Sequence, residues 1–129
     1  MMRQIIYASR THGQIAADLA PAILRQSRVH NGIDGITGLL CARGDEFMQV
    51  LEGPKESVAL TLGRIMVDAR HYAIELLGDR PMADRDFGDW TMDYRDLGQS
   101  QDQVDERLRV LLAGVPDEVA SRFRAFTAA

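Results

Sequence analysis

The order of strand-like and helix-like segments is the feature that most limits how this chain can fold. Strand patterns occur at residues 4–9, 36–42, 46–52, 72–77 and 90–94. The tight turn Arg43-Gly44-Asp45 joins the second strand to the third and predicts a hairpin. Because a helix-like segment stands on either side of this hairpin, the order reads βαββαβ, followed by one more strand.

Capping and breaking residues set the expected helix boundaries. Asp18 is the expected N-cap of the first helix, which places Pro21 in its first turn, and Asn31-Gly32 is its expected end. Gly53-Pro54 opens the second helix. Two tail helices are predicted at residues 101–113 and 117–126.

These elements predict an α+β, ferredoxin-like fold with a fifth strand. Two helices are expected on one sheet face and the two C-terminal helices on the other. We expect the first and third strands to be parallel neighbours at the sheet centre. A chain of 129 residues is long enough for one hydrophobic core.

Three polar residues stand where an apolar side chain is expected. Tyr7 lies in the first strand, Gln49 is central in Phe47-Met48-Gln49-Val50-Leu51, and Asn31 ends the first helix. A buried phenol or amide without a partner costs roughly 1–3 kcal/mol. If all three converge, a planar ligand with carbonyl and imide edges would satisfy them.

Composition narrows the function classes. The net charge of −4 and the dispersed basic residues argue against a nucleic-acid binder. No apolar run is long enough for a bilayer and no signal peptide is visible, so we expect a soluble cytoplasmic protein without a membrane partner. Cys41 is the single cysteine, and the three histidines lack metal-ligand spacing, so no metal site is predicted.

Six segments in the same order and register resemble the BLUF domain, a blue-light sensor that uses FAD. They are Ile5-Ile6-Tyr7-Ala8-Ser9, Ser27-Arg28-Val29-His30-Asn31, Gly35-Ile36-Thr37-Gly38-Leu39-Leu40, Phe47-Met48-Gln49-Val50-Leu51-Glu52-Gly53, Asp68-Ala69-Arg70-His71 and Phe87-Gly88-Asp89-Trp90-Thr91-Met92. The resemblance implies a flavin-binding domain over residues 1–97 and a helical cap over residues 98–129, packed on the sheet. Thr91 departs from the serine that is common in the family.

The resemblance also implies roles for individual residues. Tyr7 would donate an electron to excited flavin, and Gln49 would bridge that tyrosine to the flavin. The other implied cofactor-binding residues are Ile23, His30, Asn31, Ile65, Arg70 and His71. Trp90 and Met92 would relay the signal. FAD is the implied cofactor, although the residues alone leave FMN open.

Simpler explanations exist for each residue taken singly. Tyr7 could be a core tyrosine, Gln49 an edge-strand residue facing water, and Asn31 only a helix cap.

The leading hypothesis is a photoreceptor without enzymatic activity, signalling to an unidentified downstream protein and forming a homodimer or higher homo-oligomer. A ferredoxin-like small-molecule enzyme and a ligand-free interaction domain are the alternatives.

Overall fold

A central mixed sheet organises the molecule. The computed structural model describes residues 1–87, 93–96, 113 and 117–128. The strands are β1 (Met2–Thr11), β2 (Thr37–Arg43), β3 (Glu46–Pro54), β4 (His71–Met82) and β5 (Asp93–Asp96). The helices are α1 (Ala16–Asp34), α2 (Lys55–Met66) and α3 (Asp117–Ala128).

Among the described residues the sheet order is β4-β1-β3-β2-β5. β1 pairs antiparallel with both β3 and β4, and β2 pairs antiparallel with β3. The parallel pairing expected for β1 and β3 is therefore wrong. The crossover through α1 makes β2 parallel to β1, and the hairpin then reverses β3, so β3 runs against β1. Of the strands that the structure describes, only β5 joins in parallel, alongside β2.

The alternation of side chains divides the core between the two faces of the sheet. On the front face, Tyr7, Leu40 and Leu51 pack in one buried cluster with Ala20 of α1 and Val58 of α2. On the back face, a second buried cluster joins sheet residues to Ala120 and Phe123 of α3. The sheet thus separates α1 and α2 from α3.

Several boundaries differ from the sequence expectations. α1 begins at Ala16, before Asp18, and continues through Asn31 to Asp34. Pro21 is inside this helix rather than in its first turn. Apart from Ala113, the expected tail helix at residues 101–113 lies outside the described residues, and so does the relay pair Trp90 and Met92. None of the helices in the described ranges is both long and apolar enough to cross a membrane.

Candidate functional site

A groove on the front face lies between α1 and α2, with the centre of the sheet as its floor. Its lining combines an apolar floor and walls with a polar rim. The lining residues are Tyr7, Ile23, Gln26, Ser27, His30, Leu40, Phe47, Gln49, Leu51, Thr61, Arg64, Ile65, Asp68, Arg70 and His71.

The floor carries a buried tyrosine–glutamine pair. Tyr7 of β1 and Gln49 of β3 are direct partners in the antiparallel register, and each side chain is only 3% exposed. The Tyr7 hydroxyl donates a hydrogen bond to Gln49 Oε1. Because the phenol has this acceptor, its burial leaves no donor unsatisfied. The Gln49 amide therefore lies on the groove floor next to the Tyr7 hydroxyl.

The surroundings hold Tyr7 in its neutral form. Burial raises the pKa of the phenol above its ordinary value of 10.0, and the negative charge of Asp68 raises it further. A tyrosine that stays protonated keeps its hydroxyl hydrogen, and because Gln49 Oε1 can only accept, the hydroxyl is the donor in this bond.

His71 braces the groove beside Tyr7. Its Nε2 lies 2.8 Å from the carbonyl oxygen of Ile65, and its Nδ1 lies 2.7 Å from Ser9 Oγ. Since a carbonyl only accepts, Nε2 must carry hydrogen, and in the neutral ring Nδ1 accepts from the Ser9 hydroxyl. The ring meets Tyr7 edge-on, with centroids 6.3 Å apart. His71 therefore ties the end of α2 to β1 at the tyrosine.

The rim is closed on one side by an ion pair. Arg70 donates to both carboxylate oxygens of Asp68, with the closest contact at 2.5 Å, and to Gln26 Oε1 of α1 at 2.8 Å. The hydrogen bonds from Arg70 lower the pKa of Asp68, so this carboxylate stays ionised near neutral pH. The contact links α1 to the segment that follows α2.

The remaining predicted binding residues take distinct positions. Ile23 on α1 and Ile65 on α2 are both partly buried against the front core and line opposite sides of the groove. His30 is half-buried on the same side as Ile23. The backbone of Asn31 lies in the last turns of α1, and its side chain is outside the described residues.

Besides the apolar Leu40, Phe47 and Leu51, sequence reasoning missed five polar lining residues. They are Gln26, Ser27, Thr61, Arg64 and Asp68. Helical spacing could have found most of them, because positions three and four residues from Ile23 and Ile65 share their helix faces. The intervals Ile23–Ser27–His30 and Thr61–Ile65 follow this rule.

This lining suits a flat heteroaromatic ligand. Aliphatic side chains from two helices can cover the two faces of a ring, while the Tyr7–Gln49 pair meets its polar edge. An amide can both donate and accept, so Gln49 can serve heteroatoms of either kind. At the rim, Arg64 would favour an anionic group outside the ring pocket, whereas the charge of Arg70 is paired with Asp68.

Comparisons with known proteins agree on one family. The family model "BLUF: Sensors of blue-light using FAD" matches residues 2–93. The chain is 34% identical over 125 residues to the blue light- and temperature-regulated antirepressor BluF of Escherichia coli K12, covering 96% of this chain and 29% of that protein. It is 29% identical over 97 residues to photoactivated adenylate cyclase subunit beta of Euglena gracilis, covering 70% of this chain and 11% of that protein.

Solved structures show the same likeness. The dark-state structure of BlrB, a BLUF protein, superposes with a TM-score of 0.76 at 31% identity, covering 98% of this chain and 96% of that one. Klebsiella pneumoniae BlrP1 with FMN and cyclic diGMP gives 0.84 at 28% identity, covering 99% of this chain and 35% of that one. The chain spans less than a third of the two curated relatives named above.

Proposed function

The chain belongs to the BLUF family of blue-light sensors, and we propose that it binds FAD in the front-face groove and signals through the Tyr7–Gln49 pair. The observation that carries this proposal is the hydrogen bond from the buried Tyr7 hydroxyl to Gln49 Oε1 on the floor of that groove. It places an oxidisable side chain beside an amide that can exchange donor and acceptor roles.

The residues of the groove would hold the cofactor by shape and by polar contacts. Ile23 and Ile65 would cover the two ring faces, and Asn31, His30, Arg70 and His71 would contact its edge or its chain. When bound, the flavin supplies absorption of blue light and an excited state able to accept an electron. FAD rather than FMN is the proposed form, on the family description.

The protein side of the photocycle then follows from the pair. Tyr7 would give an electron to the excited flavin, and its hydroxyl proton would move to Gln49 Oε1, the atom to which it is already bonded, while the amide releases a proton from Nε2 towards the ring. When electron and proton return to Tyr7, the Gln49 amide remains rotated or in its other tautomer, so its donor and acceptor atoms face different partners. The altered hydrogen bond shifts the absorption to longer wavelength.

The signal would leave through the C-terminal part of the chain. Trp90 and Met92 are the proposed relay, residues 1–97 the flavin domain, and residues 98–129 a two-helix cap on the back face. The packing of Ala120 and Phe123 of α3 on that face supports this division. The proposed output is contact with an unidentified downstream protein, by a cytoplasmic homodimer or higher homo-oligomer without enzymatic activity of its own.

Absorption spectra test the proposal directly. Purified protein should be yellow, and blue light should shift its flavin spectrum reversibly to the red. Tyr7→Phe should bind flavin but lose the red shift, because the electron and proton donor is gone. Tyr72→Phe, a change at a half-exposed tyrosine of β4, is the matched control and should keep it.

Two outcomes would contradict this reading. A full photocycle in Tyr7→Phe would remove the tyrosine from the mechanism. Colourless protein from cells supplied with flavin would favour a ferredoxin-like enzyme or an interaction domain without a ligand.

A further inference from the structure

A row of polar side chains crosses the back face of the sheet, on the side away from the groove. Its members are register partners on four adjacent strands: Arg80 on β4, Gln4 on β1, Glu52 on β3 and Thr37 on β2. We call them the polar row. Glu52 is fully buried and Gln4 is 1% exposed. A buried carboxylate is costly unless its oxygens are hydrogen-bonded, so the burial of Glu52 depends on the donors around it.

Every described partner of the Glu52 carboxylate can donate to it. Gln4 Nε2 and the backbone N–H of Asp86 donate to Oε2 at 3.2 and 3.0 Å. Thr37 Oγ1 donates to Oε1 at 3.3 Å, and the backbone N–H of Phe87 donates to the same oxygen. The carboxylate therefore captures two successive amides of the segment that follows β4.

The other members of the row hold the same segment by its side chains. Arg80 Nη2 and Gln4 Nε2 donate to Asp86 Oδ2 at 2.5 and 3.1 Å. Arg85 Nη1 donates to Thr37 Oγ1 at 2.9 Å. Residues 85–87 are thus fixed to the sheet by backbone and side chains together.

Phe87 connects this anchored segment to the last helix. Its ring is 1% exposed and lies 6.2 Å, centroid to centroid, from the ring of Phe123 on α3. Both rings belong to the back core, which contains no other described aromatic ring. Phe87 therefore forms part of the surface on which α3 packs.

We propose that Glu52 is a positioning residue that seats α3 on the sheet by fixing the amides of Asp86 and Phe87. Glu52 follows Gln49 by three residues on β3 and points to the opposite face. We call the hydrogen bonds from Asp86 and Phe87 to Glu52 the anchor. The anchor connects β3, the strand that carries Gln49, to α3 on the back face of the sheet. Its role in the light response rests on the proposed function, whereas its role in seating α3 does not.

Hydrogen–deuterium exchange on the full, flavin-loaded chain in the dark tests the anchor. In Glu52→Gln an NH₂ group replaces one carboxylate oxygen. Because this group cannot accept hydrogen bonds from the donors that face it, those bonds are lost. We expect exchange of residues 85–87 and 117–128 to accelerate by at least about tenfold, the effect of one unsatisfied buried group. Exchange in β1 and β3, and the dark flavin spectrum, should stay as in the wild type. Glu75→Gln, on the exposed side of β4, is the control and should change neither.

A second variant tests the same proposal if Glu52→Gln does not fold. Phe87→Leu retains the backbone N–H groups held by Glu52 but removes the ring that meets Phe123. It should accelerate exchange in residues 117–128 and leave residues 85–87 protected. Unchanged α3 exchange in either folded variant would overturn the proposal.

Illumination separates this proposal from the photoreceptor function. With the anchor intact, light should alter exchange of residues 117–128, and Glu52→Gln should abolish that change while keeping the red shift. If light still alters α3 equally in Glu52→Gln, Glu52 has no part in the response. A wild type without any red shift would defeat the proposed function and leave the dark comparison valid.

Discussion

Two buried side chains, Tyr7 and Gln49, satisfy each other at the centre of the sheet. Their alternation with apolar neighbours predicts that both face the helical layer, and the register places them directly opposite. Burying either side chain without the other would cost free energy, because its hydrogen bonds to water would be lost and no protein partner would replace them. Their energetic dependence on one another can be measured without light.

A double-mutant cycle on flavin-free protein measures this dependence. Gln49→Leu leaves the Tyr7 hydroxyl without its acceptor and should lower the free energy of unfolding by about 1–3 kcal/mol. Adding Tyr7→Phe removes the stranded hydroxyl and should recover part of the loss. Urea unfolding gives all four values. Strictly additive effects would show that the hydrogen bond does not stabilise the fold.

Alkaline pH offers a second test at this scale. The folded state raises the pKa of Tyr7 above its ordinary value of 10.0, so the unfolded chain ionises first. The stabilisation is complete below pH 10 and decreases as pH rises above it, by up to about 1.4 kcal/mol per pH unit. Tyr7→Phe should therefore lose stability less steeply in this range. Parallel urea midpoints for both proteins would contradict a raised pKa.

One contact of the site could not be predicted from the sequence because it depends on irregular strand pairing. The β1–β4 ladder shifts register between Ile6 and Tyr7 and again between Ala8 and Arg10. These shifts let His71, at the start of β4, reach Ser9 instead of only its register partner Thr11. No periodicity in the sequence encodes a register shift, so this contact could not be foreseen.

At the level of elements, the types of the described strands and helices were predictable, but several of their ends were not. β4 was expected over residues 72–77 and extends from His71 to Met82, through Gly78 and Pro81. Glycine and proline suggest a break, yet among the described strands β4 pairs only with β1, and an edge strand tolerates both. Long-range pairing, rather than local propensity, decides where this strand ends.

Two glycine substitutions test how closely these elements meet. A Cβ at Gly53, on β3, would lie 2.6 Å from the backbone oxygen of Gly35, whereas one at Gly63, on α2, would meet nothing within 4 Å. Gly53→Ala should cost about 1–3 kcal/mol, because the backbone contact cannot relax easily. Gly63→Ala should gain up to about 1 kcal/mol from helix propensity. Thermal or urea unfolding of both variants checks the opposite signs, and a neutral Gly53→Ala would contradict the close approach.

At the level of the whole molecule, the sheet keeps two environments apart. The front face carries the groove, and the back face carries the polar row and the α3 contact. The α+β class and the front helical layer followed from the order of segments. The sequence analysis predicted the wrong direction for the pairing of β1 and β3. That direction depends on the combined effect of the α1 crossover and the β2–β3 hairpin, and no local pattern reveals it.

Cofactor binding should stabilise the whole fold. A ligand that binds only the folded state adds about 2.7 kcal/mol at a hundred times its Kd, so FAD should raise the Tm of flavin-free protein in a concentration-dependent way. Arg64→Gln, at the rim, should weaken FAD roughly threefold to tenfold and leave riboflavin unchanged, since riboflavin has no phosphate. Arg25→Gln, an exposed position on α1, is the control. Equal losses for both flavins would exclude phosphate recognition by Arg64.

The inner position of β3 has a consequence for any change that light produces. Because β3 is hydrogen-bonded on both sides, sliding it by one residue would break two ladders and send Gln49 to the back and Glu52 to the front. The backbone of this strand must therefore act as a stationary frame. A conformational difference between dark and lit protein should therefore consist of reoriented amides and displaced segment ends, with the register of β3 unchanged.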